Sequence, residues 1–142
     1  MGFKLFTEEL RDEIMRRQSL DAEFQQRLKG LTFRLMLVGM EAPGGQDRAL
    51  SINLQAGRFI KVGVDIHTAP SFELRSPHFD KSKFDAKFIG DHMMLYELVT
   101  GKMDLPTALE KVEAYGDMTK LMRQAAGFTA LLEFLTTLDI EP

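Results

Sequence analysis

Residues 50–66 read LSINLQAGRFIKVGVDI, and their alternation decides the fold class. Leu50, Ile52 and Leu54 alternate with Ser51, Asn53 and Gln55, the period of a strand that buries one face. Ala56-Gly57 then offers a tight turn, because glycine adopts positive φ without steric cost. Beyond it Ile60, Val62, Val64 and Ile66 alternate with Lys61, Gly63 and Asp65. Upstream, Leu31, Phe33, Leu35 and Leu37 alternate with Thr32, Arg34, Met36 and Val38, and Pro43-Gly44-Gly45 supplies the turn between. The three segments predict an antiparallel meander with one strongly apolar face.

The flanks follow a helical period. Thr7 caps a first helix, with Glu8 and Glu9 at its positive end and Leu10, Ile14 and Met15 on its apolar side. Ser19 and Asp21 re-cap it, Leu20, Phe24 and Leu28 continue the stripe, and Gly30 ends it. After the meander, Ala69-Pro70 turns the chain into a short fourth strand, Phe72 to Leu74. From Asp80 the period returns to helix, with Phe84, Phe88, Met93, Met94 and Leu98 on a broad apolar side that Gly101 closes. Asp104-Leu105-Pro106 opens a short helix carrying Ala108 and Leu109, since proline suits a first turn. Val112 to Tyr115 is the last strand, and Asp117 caps one final helix whose far end, Leu131, Phe134 and Leu138, is apolar nearly all round. The order α-β-β-β-β-α-α-β-α predicts an α+β fold: a five-stranded mixed sheet, antiparallel meander plus two later strands, with helices on one face.

The 142 residues fit one domain, taken as residues 1–142, and 44% hydrophobic content suffices for a real core. Cysteine is absent, which excludes thiol catalysis and Cys-ligated metal and suits a reducing cytoplasm. A net charge of −3, with no basic run interleaved by aromatics, argues against nucleic acid. Apolar stretches are short and broken by charge, so none spans a bilayer.

The stretch Leu98 to Met122 carries an ordered set: Leu98, Gly101, Lys102, Pro106, Ala108, Gly116, Asp117, Met118, Leu121 and Met122. It resembles the sterol carrier protein family, in which a leucine helix ends in Gly-Lys, a short Pro/Ala helix follows, and Gly-Asp-Met opens a Leu/Met-rich helix after the last strand. The likeness covers about residues 31–138 and is of motif grade from Gly101 to Met122. Glu110-Lys111 stands where the family often has a second Gly-Lys, and a peroxisomal tail is missing, which suggests a prokaryotic-type single domain. The resemblance implies a tunnel for fatty acyl chains, sterols or isoprenoids, no catalytic residue and no cofactor. It also implies a module that occurs attached to enzymes, where it supports dimerisation or substrate binding.

The residues fit a lipid site on their own terms. Nine methionines are many for this length, and those at 93, 94, 103, 118 and 122 flank segments expected to face the sheet. Methionine is flexible and polarizable, so it remoulds around guests of different shape. A sealed empty pocket of roughly 300 Å3 would cost up to roughly 7 kcal/mol, so such a space is open, collapsed or occupied. The expected lipid-binding walls are Phe33, Leu35, Ile52, Leu54, Val62 and Val64 on the sheet, with Met94, Leu98, Met118, Met122 and Leu132 on the helices.

Other readings rest on fewer residues. His67 beside Asp65, with His78 or Asp91-His92, is a chance-level metal set, so no metal is expected. Asp65 with Tyr115 or Tyr96 would be the acid–base pair of a small cavity enzyme. The apolar tip Leu131 to Leu138 would be a homodimer face. Lys81, Lys83 and Lys87 form a modest basic side, read as a solvated helix face with transient membrane contact as the alternative.

Overall fold

The structure, a computed structural model, describes residues 2–142. After a two-residue strand, β1 (Phe3–Lys4), the Thr7 hydroxyl accepts from Leu10 N and starts α1 (Glu8–Gln18). Asp21 accepts from Phe24 N and starts α2 (Ala22–Leu28), so the expected re-capping is present. The meander follows as β2 (Phe33–Ala42), β3 (Gln46–Gln55) and β4 (Arg58–Thr68). Ala56 and Gly57 both take positive φ, which gives the two-residue turn the twist of the strands it joins. Gly57 is also fixed sterically, because a Cβ there would lie 2.3 Å from the Leu28 carbonyl oxygen.

Next come α3 (Phe72–Arg75), β5 (Ala86–Asp91), α4 (His92–Val99), α5 (Leu105–Lys111) and β6 (Glu113–Gly116). The chain closes with α6 (Met118–Arg123), α7 (Ala125–Thr136) and β7 (Ile140–Glu141). The five-stranded sheet runs β4-β3-β2-β5-β6, with β2 parallel to β5 and its other pairs antiparallel. The fold is therefore α+β with a mixed sheet. A second, two-stranded sheet pairs β1 with β7 in parallel.

The fourth strand is not Phe72–Leu74. Ser71 Oγ accepts from Leu74 N and turns those residues into a helical turn, leaving Phe72 90% exposed. The strand is β5, inside the stretch expected to be helical. Its residues Ala86 to Gly90 are buried on both faces, so no alternation marks it, as is usual for an interior strand with a parallel partner. Lys87 accordingly is not on a basic helix face: it is 2% exposed, and Nζ donates to the carbonyls of Glu73, Ser76 and His78. Burial pushes its pKa down, a shift the nearby Glu73 charge opposes.

Two further departures concern register and breaks. A bulge between Asn53 and Leu54 pairs Leu54 with Phe59, so Phe59 enters the core and Ile60 is left 52% exposed. The final helix is two helices, because Gln124 leaves helical geometry at φ −114 and ψ 23. Its side chain instead pairs with the backbone of Thr32: Oε1 accepts from Thr32 N at 2.7 Å and Nε2 donates to Thr32 O at 3.0 Å. Gln18 of α1 treats Phe59 the same way, accepting from its N–H at 2.9 Å and donating to its carbonyl at 3.1 Å.

The core sits between one sheet face and the helices. Phe33, Leu35 and Leu37 pair in register with Leu54, Ile52 and Leu50, and all six are buried there. Phe33 meets Phe128 of α7 edge-to-face at 5.1 Å, and full burial of each such ring is worth about 1.5–3 kcal/mol. The opposite face holds a small cluster, Val38, Ala49, Leu74 and Ile89, under α3.

Candidate functional site

The Leu35–Leu37 and Ile52 side of the sheet does not meet the helices in continuous contact. A narrow slot remains, floored by Leu35, Leu37, Ile52 and Phe88. Leu95, Leu98 and Val99 of α4 form one wall, and Phe128, Leu131, Leu132 and Leu135 of α7 form the other. Leu105, Ala108 and Leu109 of α5 cover it together with Val112, and Phe6 closes an end. Every lining side chain is apolar, so nothing in the slot can hold a metal or move a proton. Its volume is about 40 Å3, far below the roughly 300–1,000 Å3 of small-molecule sites. At about 24 cal/mol per Å3 such a void costs only about 1 kcal/mol, which a folded domain tolerates.

The cover is the thinnest part of the wall. Asp104 caps α5 by accepting from Thr107 N at 2.8 Å, and Pro106 stands in its first turn. Of its seven residues only Ala108 is fully buried, while Leu105 and Leu109 are half-buried. On the far side, Met94 reaches from α4 over Gly90 of β5, where a Cβ would lie 2.5 Å from its Cε.

The expected wall residues divide. Leu35, Ile52, Leu98 and Leu132 line the slot. Phe33, Leu54 and Val62 are buried in the same core without lining it, and Val64, Met94 and Met118 pack against it half-buried. Met122 is not a wall residue: it is 64% exposed, since α6 docks through Leu121 and half of Met118 before the chain breaks at Gln124. Reading along the α5 spacing, Leu105, Ala108, Leu109 and Val112 recur at helical intervals and would have signalled the cover. Phe6 carries no such mark, since it lies outside any helix at φ 57.

The apolar tip of α7 is no external face. Phe134 packs on Phe24 of α2 and on Phe59 of β4, with ring centroids 5.6 and 5.7 Å away, and Leu131, Leu135 and Leu138 are buried. Its apolar sides meet α2 and the slot, while Thr129, Glu133 and Thr136 face solvent. The dimer face expected at Leu131 to Leu138 is thus corrected.

Polar chemistry lies on the other sheet face, where Asp65 and Tyr115 do not come together. Asp65 is exposed on β4 and Tyr115 sits on β6, the two opposite margins of the sheet. Four strand spacings of about 4.8 Å separate them by roughly 19 Å. Tyr115 Oη donates to Glu113 at 2.7 Å, a bond that raises the phenol pKa. Tyr96 is on α4 and packs against the core on the other side of the sheet, so neither tyrosine is placed beside Asp65. Asp85 anchors this face: burial would raise its pKa, but Arg34 at 3.0 Å and Lys120 at 3.1 Å hold it low. His67 and His78 do not meet His92, which is buried across the sheet, edge-on to Phe6. Among the described residues no group of three or more His, Asp or Glu is placed to hold a metal ion.

No protein-family model and no curated protein matches the sequence. Solved structures do. A conserved hypothetical protein from Thermus thermophilus, described as a candidate sterol carrier protein, superposes with a TM-score of 0.72 at 18% identity over 99% of this chain and 94% of that one. A crystal structure of sterol carrier protein 2 gives 0.72 at 16% identity over 94% and 98%. The sterol carrier protein domain 2 of Helicoverpa armigera gives 0.52 at 15% identity over 91% and 87%. The chain has the fold of these proteins.

Proposed function

We propose that this protein binds and carries a hydrophobic ligand, a fatty acyl chain, sterol or isoprenoid, in the slot between the sheet and α4, α5 and α7, and performs no chemistry on it. One observation carries the reading: the slot is lined by apolar side chains alone, under a seven-residue cover that buries a single residue fully. The likeness to sterol carrier structures supports the same reading. Because the slot is narrow, a guest enters by displacing α5, with Leu105, Leu109 and Leu132 at the mouth. Leu35, Ile52 and Leu98 then form the deep wall, and Met94 and Met118 adapt beside it. A cysteine-free carrier of this kind suits the cytoplasm.

The test is binding of a fluorescent fatty acid and a fluorescent sterol to the purified protein, with mass spectrometry of lipids extracted from it. Leu132→Gln places an unpaired amide at the mouth and should weaken binding roughly tenfold while the domain stays folded. Met122→Gln, on the outside of α6, should leave affinity unchanged. A wild type that binds neither probe and yields no lipid would overturn the proposal.

A further inference from the structure

The outer face of the sheet, across from the slot, carries a half-open polar groove of about 600 Å3. That is inside the roughly 300–1,000 Å3 of small-molecule sites. Strand register builds its floor. Arg34, Asn53 and Lys61 stand directly opposite one another on β2, β3 and β4, and the next row on that face is Met36, Ser51 and Gly63. A Cβ at Gly63 would meet only Ser51 Cβ, at 3.8 Å, so the floor is open at that point. The segment before β5 makes the wall. Its Ser82 carbonyl accepts from Arg34 Nη1 at 2.7 Å, which brings Lys83 and Phe84 to the Lys61 end of the groove.

The polar groups here divide into committed and free. The Arg34 guanidinium is committed to Asp85 and the Ser82 carbonyl. Lys61 and Lys83 line the groove and form no ion pair among the described residues. Asn53 Oδ1, beside Lys61 in the floor, is buried without a hydrogen-bond partner. A planar carboxylate is best held by a guanidinium fork, which is occupied here. Two lysines are compact point charges with rotating donors, and they suit a phosphate of about −1.5 to −2. The buried amide oxygen needs a donor, which a phosphate dianion lacks and a neighbouring hydroxyl supplies. Asp65 also lines the groove, four residues along β4 from Lys61 and about 13 Å away, where it repels a second phosphate.

We propose that this groove is a second binding site, for a soluble hydroxylated phosphate monoester such as a sugar phosphate. The phosphate lies between Lys61 and Lys83, a hydroxyl donates to Asn53, and the carbon skeleton rests on Met36 and Phe84. Asp65 limits the ligand to one phosphate and turns the groove away from a densely anionic bilayer. The sheet separates this site from the apolar slot, and it does not depend on the ligand proposed there.

Titration of the intact chain with ribose 5-phosphate, followed by amide chemical shifts and calorimetry, tests it. Saturable shifts should centre on Ser51, Asn53, Lys61 and residues 82–84. Lys61→Gln and Lys83→Gln, both at exposed positions, should each weaken binding about fivefold or more with the melting temperature unchanged. Gly63→Val fills the floor without altering charge and should weaken it about tenfold. Asn53→Ala should weaken ribose 5-phosphate about fivefold and leave inorganic phosphate unaffected. Asp65→Asn should strengthen fructose 1,6-bisphosphate about threefold or more. The proposal is overturned by an absence of saturable shifts up to about 10 mM ligand, or by binding indifferent to the lysine variants and Gly63→Val. Inorganic phosphate bound as tightly as ribose 5-phosphate, or co-sedimentation with phosphatidic acid vesicles in place of the free ligand, would equally refute it.

Discussion

Asp47 on β3 and Arg75 on α3 form a two-pronged ion pair, with Nε 2.7 Å and Nη2 2.9 Å from the carboxylate oxygens. The carboxylate is wholly buried and also accepts from the backbone N–H groups of Ser71 and Glu41. It therefore fastens the segment after β4 across the second face of the sheet. Arg75, with burial opposing and the two backbone donors assisting, holds the Asp47 pKa at about 2. A depressed carboxylate pKa contributes stability that is complete above the unfolded value near 3.9 and lost as pH falls through the folded value.

The first prediction follows from that window. Denaturant titrations should show stability falling between about pH 4 and pH 2 by about 2 kcal/mol from this group. Arg75→Ala, which leaves the buried carboxylate unpaired, should cost about 3 kcal/mol at neutral pH. An acid limb unchanged in Asp47→Asn would contradict the assignment.

His92 titrates in a separate window. Its ring is buried, its two nitrogens have no hydrogen-bond partner, and it meets Phe6 nearly at right angles with the ring centroids 5.9 Å apart. Burial lowers its pKa, the charge of Arg48 lowers it further, and Asp91 opposes. The folded state therefore keeps the ring neutral, while the unfolded chain protonates near its ordinary value of about 6.5. Stability from this group is complete above that value and declines as pH falls below it toward the folded pKa. His92→Phe preserves the shape, removes unmet polar atoms and should flatten the melting temperature between about pH 7 and pH 5. An identical slope in wild type and variant would refute it.

Lys87 should behave as a structural tie. Lys87→Met keeps the stem and leaves the carbonyls of Glu73, Ser76 and His78 without their shared donor. Unmet buried acceptors cost about 1–3 kcal/mol, and the loss should appear in urea titrations. Faster amide exchange should be confined largely to the segment between β4 and β5. A variant as stable as the wild type would show that water replaces the ammonium.

The meander was readable because each of its strands buries one face more completely than the other, so burial is written as alternation. β5 was unreadable for the opposite reason. Both its faces are covered, and its one charged residue looks like a solvated lysine until the carbonyls of the crossing segment are seen around it. Phe72-Glu73-Leu74 alternates like a strand, yet Ser71 and the ties at Asp47 and Lys87 make it a turn of helix. In the slot, Leu35, Ile52, Leu98 and Leu132 followed from face and period. Met122 did not, because Gln124 breaks the helix without glycine or proline and the stripe does not continue through it.

The glutamines that pair with backbone have a consequence for how the chain assembles. A primary amide offers one donor and one acceptor in the arrangement of a peptide unit, so Gln18 and Gln124 each act as a single-residue strand. Glutamate could not donate, and asparagine is one methylene shorter. Since successive backbone groups point to opposite sides of a strand, a one-residue slip of β4 or β2 would turn Phe59 or Thr32 away from its amide. Each helix thus checks the alignment of the strand it touches, and a misregistered hairpin forfeits its helix. Strand register and helix docking are thereby coupled in the folded state.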